Sequence, residues 1–215
     1  MSRGTAIGER VHPLHVFAGR LHTALNGLGS PAVWSMSETE LTESMMELAS
    51  GVARVQAQLL TCVGHADRTN VASETGQVNT AALLRSLTRM TVVEANRAVK
   101  TAGLLEKMPP TAEALLTGAV NVAQATVILD AVAALPDSVG REDRDKAERH
   151  LLDLAAVHDA RELKRLGRHL MDVIDPEGAD QRLADQLERE ERRAARKAYL
   201  SLWDNGDGTH EVRGK

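Results

Sequence analysis

At four points along this chain of 215 residues, a Ser, Thr, Asn or Asp that stands just before a helical apolar pattern is followed three positions later by Glu or Gln. The pairs are Ser37 with Glu40, Thr91 with Glu94, Asn121 with Gln124 and Asp159 with Glu162, each ahead of an apolar run at helical spacing. Such a pair is a capping box. The first side chain accepts a free N–H of the opening helical turn, and the second reaches back to the N–H of the first. A chain punctuated this way is committed to a series of helices.

Behind Ser37 run Leu41, Met45, Leu48, Val52, Val55, Leu59 and Cys62, in alternating steps of four and three. This heptad seam predicts a long helix packed lengthwise on another, ending near Gly64, with Cys62 buried on the seam as a structural residue. Thr91 opens a helix through Leu105, Pro109-Pro110 a short one stopping at Gly118, and Asn121 one stopping before Pro136. Arg141 to Val157 reads helical with Ala147, Leu151 and Leu154 inward. Asp159 opens a helix carrying Leu163, Leu166, Leu170 and Val173, ended by Asp175-Pro176. Gln181 to Lys197 is a charged helix. Composition agrees: 31 Ala and 27 Leu stand beside 3 Ile and four aromatics, Phe17, Trp34, Tyr199 and Trp203. Ala and Leu are strong helix formers, whereas sandwiches and barrels need β-branched and aromatic residues throughout.

The expected fold is therefore all-α, a multi-helix bundle with a long heptad-patterned helix near the N-terminus and the start of a short β-hairpin at the C-terminus. Residues 1–36, with five glycines, read as a flexible segment holding at most a short helix from Leu14 to Leu25. Residues 37–197 read as the helical domain. In residues 198–215, Tyr199 to Trp203 and Thr209 to Val212 flank the turn dipeptides Asn205-Gly206 and Asp207-Gly208, an incomplete hairpin leading towards a further module.

No apolar run reaches the ~20 residues of a membrane helix, and the N-terminus lacks the apolar stretch of a signal peptide. One cysteine excludes an intrachain disulfide framework and a Cys-paired zinc site. These features predict a cytoplasmic protein with no membrane association. No metal or other cofactor is expected: His12, His15 and His22 lack converging ligands, and no P-loop, G-x-G-x-x-G, G-x-S-x-G or H-E-x-x-H is present.

The net charge of −4 gives no general attraction to nucleic acid, and four aromatics offer almost nothing on which bases could stack. Any such contact must be a local patch. Arg161, Lys164, Arg165 and Arg168 fall on one helical face, and Arg189, Arg192, Arg193 and Arg196, with Lys197, repeat the pattern downstream. These are the candidate nucleic-acid-binding residues. A salt-bridged, solvated face competes with that reading, because Glu188, Glu190 and Glu191 interleave with the second stripe. Residues 79–102 also fit the length of a helix-turn-helix, with Asn96, Arg97 and Lys100 outward, but Arg89 stands in the turn where glycine would help. A plain helical hairpin describes them equally well.

The string from Met108 to Pro136, MPPTAEALLTGAVNVAQATVILDAVAALP, resembles the domain of unknown function 222, also described through the thirteen-E-twelve repeat proteins. The family pattern appears as Met108-Pro109, Thr111-Ala112, Leu115, Gly118-x-Val120, Gln124-Ala125 and Leu135-Pro136. Met90-Thr91 with Glu94-Ala95 fits upstream. Asp172 to Asp180, the Arg/Glu-rich helix and Trp203 with Asp207-Gly208-Thr209 fit downstream, so the resemblance covers roughly residues 38–212.

The resemblance implies the N-terminal helical domain of actinobacterial HNH endonuclease-like proteins. Their usual C-terminal nuclease module binds metal through a His-rich ββα site. No His-His pair is present here, so the chain is expected to be catalytically inert, an accessory domain assisting DNA association. The alternatives are a protein-interaction or dimerisation module, suggested by the seam, and a truncated gene product without independent function.

Overall fold

The boxes at Ser37, Thr91, Asn121 and Asp159 each open a helix in the computed structural model of the chain. The structure describes residues 11–170 continuously, and also residues 174, 188, 191–192, 195, 200–204, 206, 208 and 210–214. Among these are nine α-helices: α1 (Pro13–Leu28), α2 (Glu38–Arg68), α3 (Val71–Glu74), α4 (Thr80–Thr88), α5 (Val92–Leu105), α6 (Pro109–Thr117), α7 (Val122–Ala133), α8 (Arg141–Ala155) and α9 (Ala160–Leu166). Two antiparallel strands, β1 (Leu200–Asp204) and β2 (His210–Gly214), pair with Leu202 opposite Val212. The turn between them passes through Gly206 and Gly208, both at positive φ, where a side chain would be strained. The all-α bundle is thus observed, with the hairpin at its predicted place. No helix among the described residues is long and apolar enough to cross a membrane.

Two compact units divide inside α2, one of residues 1–47 and one of residues 48–215. In the first, α1 begins at Pro13, and His12 accepts the Leu14 N–H through Nδ1 at 3.1 Å. This gives His12 a capping role.

In the second unit α7 is the hub, packed against α5, α6, α8 and α9. Ala125, Ile128, Leu129 and Val132 of α7 are buried, as are Leu115 of α6, Leu151 of α8 and Leu163 of α9. Short side chains on α2 and α5 let those two helices approach closely. Gly64 faces Ala102, and a Cβ on Gly64 would come within 3.5 Å of the Ala102 Cβ.

Four expectations are corrected. The long helix continues past Gly64 to Arg68, because Gly64 serves close packing rather than termination. The buried stripe of α2 is Ala53, Ala57, Leu60, Val63 and Gly64, whereas Leu48, Val52, Val55 and Leu59 of the seam are exposed. Cys62 is likewise exposed rather than buried. Small residues won the packed side because they allow the closer approach. Finally, Leu166 is exposed, because α9 ends there and the chain tightens into a 3-10 turn over Gly167–His169. Val173 and most of 181–197 lie outside the described residues.

Candidate nucleic-acid interface

Gly118, Thr111 and Gln124, three residues of the Met108–Pro136 string, hold helices together. Gly118 ends α6 at φ +78°, and a Cβ there would collide with the Ser50 hydroxyl of α2. Pro109 and Pro110 carry no N–H, so Thr111 offers the first amide of α6. That amide and the Thr111 hydroxyl both donate to Glu148 Oε1 of α8, at 2.8 and 2.7 Å. Gln124 accepts the Asn121 N–H and donates through Nε2 to the carbonyls of Ala155 and His158, each at 2.9 Å. It thereby ties the start of α7 to the turn between α8 and α9.

The carboxyl end of α7 is closed by Arg144 of α8. Its guanidinium donates to the carbonyls of Val132, Leu135, Pro136 and Val139, at 2.7–3.2 Å. A cation at a helix carboxyl end and an acid at a helix amino end both complement the helix dipole. Because α8 supplies both, α6, α7 and α8 are set in one arrangement. Met108, Leu115, Val120, Ala125 and Leu135 of the string are buried in the core.

This frame shapes a cleft of about 590 Å³ between α5, α7 and α9. Its floor includes Val127, Ala131, Ala134 and Leu170. Arg97 of α5 stands on it together with Lys164 of α9 and Arg168 of the following 3-10 turn. All three are exposed, and among the described residues none of them is in an ion pair. Asp130 is the only carboxylate among the lining residues, and Lys100 holds it at 2.6 Å. Gly167 permits the approach of α9 to α7, since a Cβ there would lie 3.1 Å from the Ala131 Cβ. The cleft can accept anionic groups along a cationic rim above an apolar floor.

The first predicted stripe is therefore split. Lys164 and Arg168 line the cleft, while Arg161 and Arg165 are exposed outside it. Of the second stripe, Arg192 is bound to Glu188 at 2.5 Å in an exposed i, i+4 pair, as the solvated-face reading predicts. Arg189, Arg193, Arg196 and Lys197 lie outside the described residues. In the sequence Arg97 belongs only to the helix-turn-helix pattern of residues 79–102. Its meeting with Lys164, across 67 positions of chain, leaves no periodic signal in the sequence. Arg89 does occupy the turn before α5, at φ +61°. A smaller cleft lies beside it, lined by Gln77, Arg85, Ser86 and Met90 among others.

The titrating groups with resolved shifts are capping or surface groups. The Thr91 amide, and then its hydroxyl, hold the Glu94 carboxyl below the usual range, and Ser37 does the same for Glu40. Lys146 is raised by its bonds to Asp143 and Glu142. All three are exposed and none lines the cleft.

Neither a curated protein nor a solved structure matches the chain. A family model does, over residues 40–215, and the ordered string that it covers is the one whose side chains lock α6, α7 and α8. The chain belongs to the family described as Domain of unknown function (DUF222).

Proposed function

We propose that the helical body is a non-catalytic docking domain that contacts the phosphate backbone of DNA through the cleft between α5, α7 and α9, as the accessory part of an HNH endonuclease-family protein. The observation that carries the reading is the convergence of Arg97 with Lys164 and Arg168 on one cleft whose only lining carboxylate is occupied by Lys100. Arginine and lysine directed at phosphates position a protein on a duplex without reading bases. The scarcity of aromatics fits backbone contact rather than base stacking. The HNH setting comes from the family resemblance, and the inert character from the lack of a His-His pair in the sequence.

The test is a fluorescence-anisotropy titration of duplex DNA at low salt. Three phosphate contacts correspond to a slope of about −3 in log affinity against log salt. Replacing Arg97, Lys164 and Arg168 together with Ala, all exposed side chains, is expected to abolish binding while leaving the melting temperature unchanged. Absence of binding at tens of micromolar protein, or unchanged affinity in the triple variant, would overturn the reading.

A further inference from the structure

We infer that the smaller cleft at the carboxyl end of α4, lined by Gln77, Arg85 and Arg89, is a binding site for a phosphate monoester, free or at the end of a nucleic-acid strand. It shares no residue with the cleft between α5, α7 and α9, so the inference stands apart from the DNA reading.

The three donors are set by local structure. Gly76, at φ +72°, turns the chain out of α3, and Asn79 caps α4. The Gln77 N–H donates to the Ala72 carbonyl at 2.8 Å, which fixes Gln77 between the two helices. Arg89 lies one turn beyond Arg85 and donates its N–H to the Arg85 carbonyl at 2.8 Å. Arg89 also stands at φ +61°, in the left-handed region where glycine fits without strain. An arginine there works against folding. Backbone settings of this kind cluster where a side chain serves a ligand.

A basic residue at a helix carboxyl end ordinarily bonds the last carbonyls. In α4 neither arginine does so. The carbonyls of Leu83 and Leu84 accept instead from the hydroxyls of Ser86 and Thr88, at 2.7 and 2.6 Å, and that of Arg85 from the Arg89 amide. Both arginines are exposed, and among the described residues neither guanidinium is in an ion pair or a hydrogen bond. No Asp or Glu occurs from residue 75 to residue 93, and none lines the cleft.

A phosphate monoester carries close to two negative charges at neutral pH, and two guanidiniums balance it. A diester carries one and would leave the cleft with an excess of positive charge. Guanidinium forks donate paired N–H groups to phosphate oxygens, and the Gln77 amide adds a neutral donor. The cleft, of about 430 Å³, is large enough for a phosphate with the group that bears it.

The experiment is a phosphorus NMR titration of methyl phosphate and of dimethyl phosphate into the full chain. Arg97, Lys164 and Arg168 are first replaced with Ala, so that the larger cleft contributes nothing and failure of the DNA reading leaves this result untouched. The monoester is expected to bind about tenfold more tightly than the diester, up to about 10 millimolar ligand. Adding Arg85→Ala with Arg89→Gly is expected to abolish binding. Arg89→Gly relieves the left-handed backbone, so the melting temperature is expected not to fall and the loss is not one of folding. A DNA oligonucleotide bearing a terminal phosphate, compared with the same strand ending in a hydroxyl, separates the sources. Competition by the phosphorylated strand alone places a strand end in the cleft, and competition by neither strand places a free phosphate ester there. Three results would overturn the inference: no binding of methyl phosphate, equal binding of the two esters, and binding that survives loss of both arginines.

Discussion

Arg144 and Glu148 stand one turn apart on α8 and close opposite ends of two other helices. Arg144 takes the carbonyls at the carboxyl end of α7, and Glu148 takes the first amide of α6. Both contacts are oriented with the helix dipoles, and neither could be made by a residue within the helix it closes. Pro109 and Pro110 occupy the first turn of α6, and Met108 supplies no side-chain cap. A capping partner had to come from elsewhere in the fold.

Glu148→Ala leaves the Thr111 amide and hydroxyl buried without their acceptor, and is expected to lower stability by about 2–3 kcal/mol in urea unfolding. Glu148→Gln keeps an accepting oxygen and should lose about half as much. Equal losses in the two variants would show that the charge, rather than the hydrogen bonds, matters.

Gly118→Ala meets two obstacles, a left-handed backbone and the Ser50 hydroxyl. The expected loss is about 2 kcal/mol or more, read as a fall in melting temperature. The companion change Ser50→Ala opens space and should recover part of it.

Arg89→Gly removes a side chain from a left-handed helix end. The backbone strain relieved, about 1 kcal/mol, exceeds the added entropy of glycine in the unfolded chain by about 0.5 kcal/mol. The variant is expected to melt slightly higher, measurable by calorimetry.

The Glu94 carboxyl is held below its ordinary 4.5 by the bonds from Thr91. A depressed folded value stabilises above the unfolded value, and that stability is lost as pH falls through the folded one. Urea unfolding from pH 5 downwards is therefore expected to show stability declining below about 4.5. Glu94→Gln, which keeps the box without an ionisable group, should flatten part of that decline.

Much of this was legible from residues three apart. Thr91 with Glu94, and Asn121 with Gln124, announce their helices because both partners lie within one turn, and that chemistry needs no tertiary context. The second bond set of Gln124, to Ala155 and His158, was not legible. Nothing near position 124 encodes which carbonyls α8 will leave there. The seam of α2 is visible as a pattern in the sequence, but periodicity does not say which face of a helix is buried. Packing of Gly64 against Ala102 settled that in favour of the small-residue face. Half of the cleft was legible in the Lys164–Arg168 spacing, and the other half, Arg97, was not.

The helix starts that carry capping boxes, and the hairpin turn, are thus local facts, set by residues within their own turn. The buried face of α2, the shared duty of Arg144 and Glu148, and the meeting of Arg97 with Lys164 are non-local. They follow from which helix surfaces approach most closely, a competition among all the faces that no single stretch of chain records.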